Sequence, residues 1–306
     1  MEINDLKAFL AVAKSESFSL AGEQLHLTQP AVSKRVAALE EELNTRLFDR
    51  ISRKITLTEA GRQLLPRAQQ MLYEMEDIRR SISNLTGKVS GTLTMGTSHH
   101  IGLRRLPPAL KHYSRRFPQV QLDIRFMDSE TACGAVQQGE LELAIVTLPT
   151  EPIANLTTRP IWHDPLLFVV SREHPLAERP RVTLQELARH PAVLVAKGTY
   201  TRRILEQALE PLGMRLKTGM ETNYFETLKM MVSIGLGWSL LPKSMTGEPD
   251  LKVLQVPELE LSRTLGAVTH TRRSLSNAAQ AMVETCLGDA DNQADAGQAE
   301  PLSPSR

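Results

Sequence analysis

Cysteine is almost absent from this chain of 306 residues: Cys133 and Cys286 are the only two. So few exclude a disulfide scaffold and a Cys-rich metal site. No apolar run approaches the roughly 20 residues needed to cross a bilayer. The opening Met1–Asp5 has no basic segment leading into an apolar one, so no secretory signal is expected. Excess charge is missing too. The chain carries 36 basic and 35 acidic residues, a net charge of +1. Bulk charge therefore argues neither for nor against a nucleic-acid partner. Enzyme signatures are lacking: no G-x-S-x-G, P-loop, H-E-x-x-H or G-x-G-x-x-G occurs. Gly235-x-Gly237 falls between a predicted helix and strand, where it reads as turn chemistry. These absences predict a cytoplasmic, non-membrane protein that is not an enzyme and has neither metal nor cofactor. What remains is 41% apolar and 23% charged, a globular composition with length for two or three domains at about 100–200 residues each.

The first 57 residues are rich in short amphipathic patterns. Leu6, Phe9, Leu10 and Ala13 define one face of a first helix. Ser19 can cap a second, carrying Leu20, Ala21 and Leu25. Thr28 can cap a third, with Gln29 and Pro30 in its first turn, where proline is tolerated. Val32, Val36, Leu39 and Leu43 form its apolar stripe. The short connection His26-Leu27-Thr28 between the second and third helices suggests helix-turn-helix. From Leu47 to Leu57 the period changes, and Ser52-Arg53-Lys54 reads as the tip of a small β-wing.

Residues 58–86 read as one helix about 43 Å long. Thr58 is its N-cap and Glu59 suits its first turn. Leu64, Ala68, Met71, Met75, Ile78, Ile82 and Leu85 follow at spacings 4, 3, 4, 3, 4, 3. Such a seam pairs helices, so this segment is expected to self-associate rather than pack on its own body. Gly87–Gly91 is hinge-like. Beyond it, predicted strands (93–96, 120–126, 141–147, 166–171, 193–195, 238–241, 265–269) alternate with helices (106–117, 131–138, 201–212, 225–234). That alternation predicts α/β lobes with largely parallel sheets. From residue 288 the chain turns small, polar and acidic, and disorder is expected.

Several runs are familiar in order: Ala21, Thr28-Gln29-Pro30-Ala31-Val32-Ser33, Leu39-Glu40, Leu47-Phe48-Asp49-Arg50 and Leu57-Thr58-Glu59-Ala60-Gly61. This stretch closely resembles the winged helix-turn-helix of LysR-type transcriptional regulators. Gly139–Ile145 and Gly235–Pro242 look like that family's effector domain. The resemblance implies an α+β multidomain protein: a winged helix-turn-helix (1–57), a linker and dimerisation helix (58–87) and a two-lobed α/β effector domain (88–287) like a periplasmic binding protein. Lobe I would span 91–161 and 266–287, and lobe II 162–265. It further implies double-stranded operator DNA, a small-molecule effector, a homodimer or homotetramer, and RNA polymerase as partners. Lys34 stands where the family usually has Arg, which weakens bidentate guanine reading there.

Two sites follow as expectations. The DNA set is Thr28, Gln29, Pro30, Ser33, Lys34, Arg50, Arg53 and Lys54. The domain is neutral, with eight basic and eight acidic residues in 1–57, so position carries the argument. The start of a recognition helix enters the major groove, where Gln pairs with adenine. Arg50, Arg53 and Lys54 near the wing suit phosphates. The effector set is Thr97, Ser98, His100, Thr147, Thr199, Thr201 and Asn223, at strand ends or helix starts where N–H groups and the helix dipole favour anions. Each Ser or Thr there can equally be an N-cap alone. No acidic residue occurs within 97–102, 147–149 or 197–203, and Arg104, Arg105, Arg202 and Arg203 follow two of these junctions. An anion, foremost a carboxylate, is therefore expected; Tyr200, Tyr224 and Phe225 give some support to a neutral or aromatic ligand. His99-His100 lacks partners at metal-ligand spacing and reads as a lining pair. Cys133 and Cys286 read as buried fillers rather than a redox pair. The seam residues Leu64, Met71, Met75, Ile78 and Ile82 are the dimerisation set. The alternatives are an architectural DNA-binding protein without effector, or a small-molecule enzyme of α/β fold.

Overall fold

The structure, a computed structural model, describes residues 1–51, 54–214 and 216–298. The chain divides into two compact units, Met1–Leu85 and Thr86–Arg306.

The first unit runs α1 (Ile3–Ser15), α2 (Phe18–Leu25), α3 (Gln29–Glu42), the antiparallel hairpin β1 (Phe48–Ile51) and β2 (Lys54–Leu57), then α4 (Glu59–Asn84). Ser17, not Ser19, caps α2: its hydroxyl accepts the Leu20 N–H at 3.3 Å. The earlier start brings Phe18 onto Phe48, which also meets Phe9, and leaves Leu20 facing solvent. The turn into α3 is tight. His26 takes a left-handed conformation and the Leu27 N–H donates to the Gly22 carbonyl at 2.8 Å. A Cβ at Gly22 would lie 2.7 Å from the Leu27 oxygen, so the turn needs glycine there. Val32, Val36 and Leu39 bury the inner face of α3, whereas Leu43 lies past its end and is exposed. Glu40 then accepts the Leu47 and Phe48 N–H groups at 2.7 and 3.3 Å, fixing the start of the hairpin.

Thr58 caps α4 through the Gly61 N–H at 3.0 Å. Along α4, Ala68 is buried and Leu64 packs partly into the unit's core. Further on, Met71, Ile78 and Ile82 are 43%, 60% and 63% exposed.

The second unit follows as β3 (Gly91–Thr97), α5 (His99–Arg104), α6 (Leu106–Arg116), β4 (Val120–Phe126), α7 (Ser129–Gln138), β5 (Leu143–Thr147), β6 (Leu156–Ser171), α8 (Leu184–Ala188), β7 (Ala192–Leu194), α9 (Tyr200–Leu209), β8 (Thr218–Glu221), α10 (Phe225–Ser233), β9 (Ser239–Pro242), β10 (Leu251–Val253), β11 (Leu261–His270) and α11 (Asn277–Gln298). One sheet runs β10-β6-β11-β5-β3-β4, with β9 also on β6, and β7 pairs β8. The expected parallel pairing holds for β3 with β4 and β5, and for β7 with β8. It fails for β6 and β11, two long strands that run antiparallel to each other and carry the chain between lobes. The sequence shows only the end of β6 because Pro160 and Pro165 interrupt it. Both prolines sit where β6 has a strand neighbour on one side only, the position at which a lost donor is tolerated. The β6–β11 register shifts between Leu265 and Gly266.

The apolar core is divided. One cluster joins β3, β5, α6 and α11 through residues such as Leu93, Tyr113, Leu143 and Met282. Others centre on Phe168, Leu194 and Trp238, and on Val169, Leu228 and Leu241. The helix α11 continues to Gln298, past the expected start of a disordered tail at 288. Ala290, Ala294 and Ala296 are strong helix formers and offset the acidic, polar composition. Residues 299–306 lie outside the described residues.

Candidate functional site

Two constellations stand out, one in each unit. In the first, Thr28, Gln29, Pro30 and Lys34 are exposed and Ser33 is half-buried at the start of α3. The opposite side of that turn is anchored by Val32, which fixes the direction of the exposed face. Gln29 Nε2 donates to Ser33 Oγ at 2.9 Å, so the two side chains are held together one turn apart. Arg50 lies on β1 and Lys54 on β2. Arg53 lies outside the described residues.

In the second unit, Ser98, His100, Thr147, Thr199, Thr201 and Asn223 line one cleft between the lobes. His99, read from the sequence as a lining residue beside His100, and Phe225, named there for a neutral ligand, line it as well, together with five residues that sequence reasoning missed: Asp128, Ser129, Glu130, Val195 and Arg263. Thr97 does not. It is fully buried and its hydroxyl donates to the Ile145 carbonyl at 2.8 Å, a bond that ties β3 to β5. Thr199 caps α9 through the Arg202 N–H at 3.2 Å. Asn223 Oδ1 accepts the Ala196 N–H at 3.0 Å, while its amide donates to Asp128 Oδ2 at 2.8 Å. The Tyr200 N–H donates to Glu130 Oε1. At the mouth, Arg104 pairs with Glu226 at 2.8 Å, and His99 sits between Phe126 and Tyr224. The cleft is partly open, and its narrow part leaves about 40 Å³ for water, a few molecules at roughly 10–15 Å³ each.

The floor of the cleft is cationic. Arg263, 4% exposed, donates to Asp164 Oδ2 at 2.9 Å and to Thr201 Oγ1 at 3.0 Å. Its guanidinium stacks over Phe225 at 4.8 Å. Arg105 reaches the other oxygen of the fully buried Asp164 at 3.0 Å. Two guanidinium groups thus share one carboxylate. Arg263 Nη2 and both ring nitrogens of His100 have no hydrogen-bond partner among the described residues. Burial, and then the nearby Arg263, push the His100 pKa down to about 4, against a weaker upward pull from Asp164. His100 is therefore a neutral imidazole. Glu130 moves the other way: burial raises its pKa, against the N–H it accepts from Tyr200.

Three of the four arginines flagged in sequence, Arg104, Arg105 and Arg202, are ion-paired, the first two as described. Arg202 is buried in a separate groove along α9, paired with Glu206 at 2.8 Å and Thr218 at 3.0 Å. The cleft's uncompensated positive charge comes instead from Arg263 on β11. The acidic residues come from the start of α7. That junction after β4 obeys the strand-end rule applied to the other four, so the same rule applied once more finds Asp128 and Glu130. Arg263 has no local signal, being brought in by long-range strand pairing. Both cysteines are buried, with thiols pushed up to about 11 for Cys133 and about 12 for Cys286, in each case chiefly by burial. Neither has the thiolate character of a redox sensor. Among the described residues no group of three or more His, Cys, Asp or Glu is placed to hold a metal, and no helix is long and apolar enough to cross a membrane.

A winged helix-turn-helix with an exposed reading face, followed in the chain by a two-lobed cleft, defines a ligand-responsive DNA-binding regulator. Residues 3–62 match the bacterial regulatory helix-turn-helix protein, lysR family, and residues 86–291 match the LysR substrate binding domain. A probable RuBisCO transcriptional regulator of Cyanidioschyzon merolae is 30% identical over 286 residues, 90% of this chain and 94% of that one. Full-length OxyR from Pseudomonas aeruginosa has the same fold, with a TM-score of 0.70 at 24% identity, covering 94% of each chain. Full-length CbnR, solved with its target DNA, gives 0.64 at 18% identity, covering 95% of this chain and 100% of that one. The chain belongs to the LysR-type transcriptional regulators, DNA-binding proteins with an effector domain rather than enzymes.

Proposed function

We propose that this regulator reads its operator with the start of α3 and responds to a small anion, foremost a carboxylate, held between the lobes of the second unit. Gln29, Ser33 and Lys34 read base edges, while Arg50, Arg53 and Lys54 hold phosphates. The row of exposed Met71, Ile78 and Ile82 with half-buried Met75 on α4 pairs with a second copy, giving the two reading heads that a two-fold operator requires. RNA polymerase is the downstream partner that such an operator complex would regulate.

One observation carries the anion reading. Arg263 and Arg105 share the single carboxylate of Asp164, and Arg263 Nη2 is left without a partner. A buried charge without full compensation is costly, and an anion beside Arg263 removes that cost. Ser98, Thr147, Thr199 and Thr201 offer hydroxyls, and His100 can donate or accept as a neutral ring.

A thermal-shift screen of small carboxylates, inorganic anions and neutral ring compounds on the full chain tests this. A ligand at 100 times its Kd adds about 2.7 kcal/mol. The expected result is stabilisation by at least one anion in wild type, lost in Arg263→Gln, where Asp164 keeps Arg105 as a one-to-one partner. Stabilisation by neutral ring compounds alone, or an anion response unchanged in Arg263→Gln, overturns the reading.

A further inference from the structure

One carboxylate already stands inside the cleft, and it belongs to the protein. Glu130 lies in the first turn of α7, on one lobe, and its Oε1 accepts the N–H of Tyr200, the first residue of α9 on the other lobe. Resting on the anion reading of this same cleft, we propose that Glu130 is an internal stand-in for the effector: its carboxylate holds the start of α9 until an anionic effector displaces it.

Four observations converge. The first N–H groups of a ten-residue helix have no intrahelical partner and attract negative charge. Here Thr199 Oγ1 takes the Arg202 N–H and Glu130 takes the Tyr200 N–H. Second, the contact crosses between lobes and does not stand alone. Asp128, two residues earlier, accepts from Asn223 at 2.8 Å, so the start of α7 grips the second lobe at two points. Third, Glu130 lines the same cleft as Arg263, Thr199 and Thr201, so an anion bound there meets the Glu130 carboxylate. Fourth, the position is unfavourable for a carboxylate that gains nothing from it. Burial and the neighbouring Asp128 both disfavour the Glu130 charge, opposed by the Tyr200 N–H and by Arg203.

Occupation by Glu130 and by an effector is mutually exclusive on two counts. Both need the same N–H, and two carboxylates in one small cavity repel. The unpartnered Arg263 Nη2 and the neutral His100 give the incoming anion a second hold that Glu130 does not use. Effector binding then exchanges an internal bond between the lobes for an external one, and Glu130 sets the affinity threshold.

The test uses the full chain and inorganic sulfate as probe, titrated by calorimetry into wild type, Glu130→Gln, Glu130→Ala and Arg263→Gln. Glutamine keeps an acceptor for the Tyr200 N–H but loses the charge. The expected result is about tenfold tighter sulfate binding in Glu130→Gln, within the usual range of coupling between two ligands of one site, and tighter again in Glu130→Ala. Equal or weaker binding in Glu130→Gln, with binding lost in Arg263→Gln, overturns the stand-in and leaves the anion reading in place. Sulfate that binds Arg263→Gln as well as wild type overturns the anion reading itself. Hydrogen exchange at the Tyr200 amide gives a second readout. It should be slow in wild type, fast in Glu130→Ala and slowed again by sulfate in that variant; an amide indifferent to Glu130 overturns the proposal.

Discussion

His100 shows how much one residue's surroundings decide. Its folded pKa lies near 4 against an ordinary 6.5, so the unfolded chain binds the proton first as pH falls. The stability it contributes is complete above 6.5 and is lost as pH drops from there toward 4. The full difference amounts to about 3 kcal/mol at ~1.36 kcal/mol per pKa unit. Wild type should therefore lose stability relative to His100→Gln by that order between pH 6.5 and 4. Comparing the two removes the opposing effect of Glu130, whose raised pKa favours the folded state on acidification. Urea unfolding of both proteins across that range checks it, and parallel pH curves would refute it. This residue was legible in sequence as a lining position because it follows a strand end in a hydroxyl-rich junction. Its electrostatics were not legible, because Arg263 and Asp164 reach it from β11 and β6, far along the chain. Thr97 illustrates the reverse limit. A threonine beside the same junction spends its hydroxyl on Ile145, and sequence does not distinguish a hydroxyl facing the cleft from one facing the sheet.

Elements with a strong period and local end signals were readable to within a residue or two. The strand Val120–Phe126 and the helix Phe225–Ser233 are examples. The long strands β6 and β11 were cut short because their pairing, with prolines on a one-sided stretch, is a property of the sheet. For α4, the cap and the 4-3 spacing were both visible, and the helix begins at the residue after Thr58. Its close approach to Leu47 was not. A Cβ on Gly61 would lie 2.2 Å from the Leu47 oxygen. Gly61→Ala should therefore destabilise the first unit by about 1–3 kcal/mol, the usual cost of overpacking. Chemical denaturation measures this, and a change within ±0.5 kcal/mol, as for an ordinary surface substitution, would contradict it. Further along the same helix, Met75→Glu with Ile78→Glu places four charges in each paired seam. Charges without partners in an apolar contact are strongly unfavourable, so the double variant should sediment as a smaller species and bind operator more weakly. Wild-type sedimentation with full operator affinity would show that α4 does not pair.

At the scale of the whole molecule, reading and sensing reside in units that the fold keeps distinct, and this predicts separable defects. Gln29 and Ser33 sit on the first unit, joined by their own hydrogen bond. Arg263 sits on the second, at the centre of an ion-paired cluster. An effector can alter operator binding only through different affinities for two arrangements of the protein. Removing its binding site should therefore abolish the response without touching base reading. Arg263→Gln should bind operator DNA like wild type in the absence of anion, and should not change when the stabilising anion of the thermal screen is added. Gln29→Ala should do the opposite. It should lose discrimination between operator and random DNA by about 1–3 kcal/mol, the contribution of one good base contact, yet take up the anion with wild-type affinity. Fluorescence anisotropy with operator and random duplexes, each with and without the anion, reads all four quantities. Loss of operator affinity in anion-free Arg263→Gln would mean that the buried cluster serves the DNA-binding state itself. Unchanged discrimination in Gln29→Ala would remove α3's first turn as the reading surface.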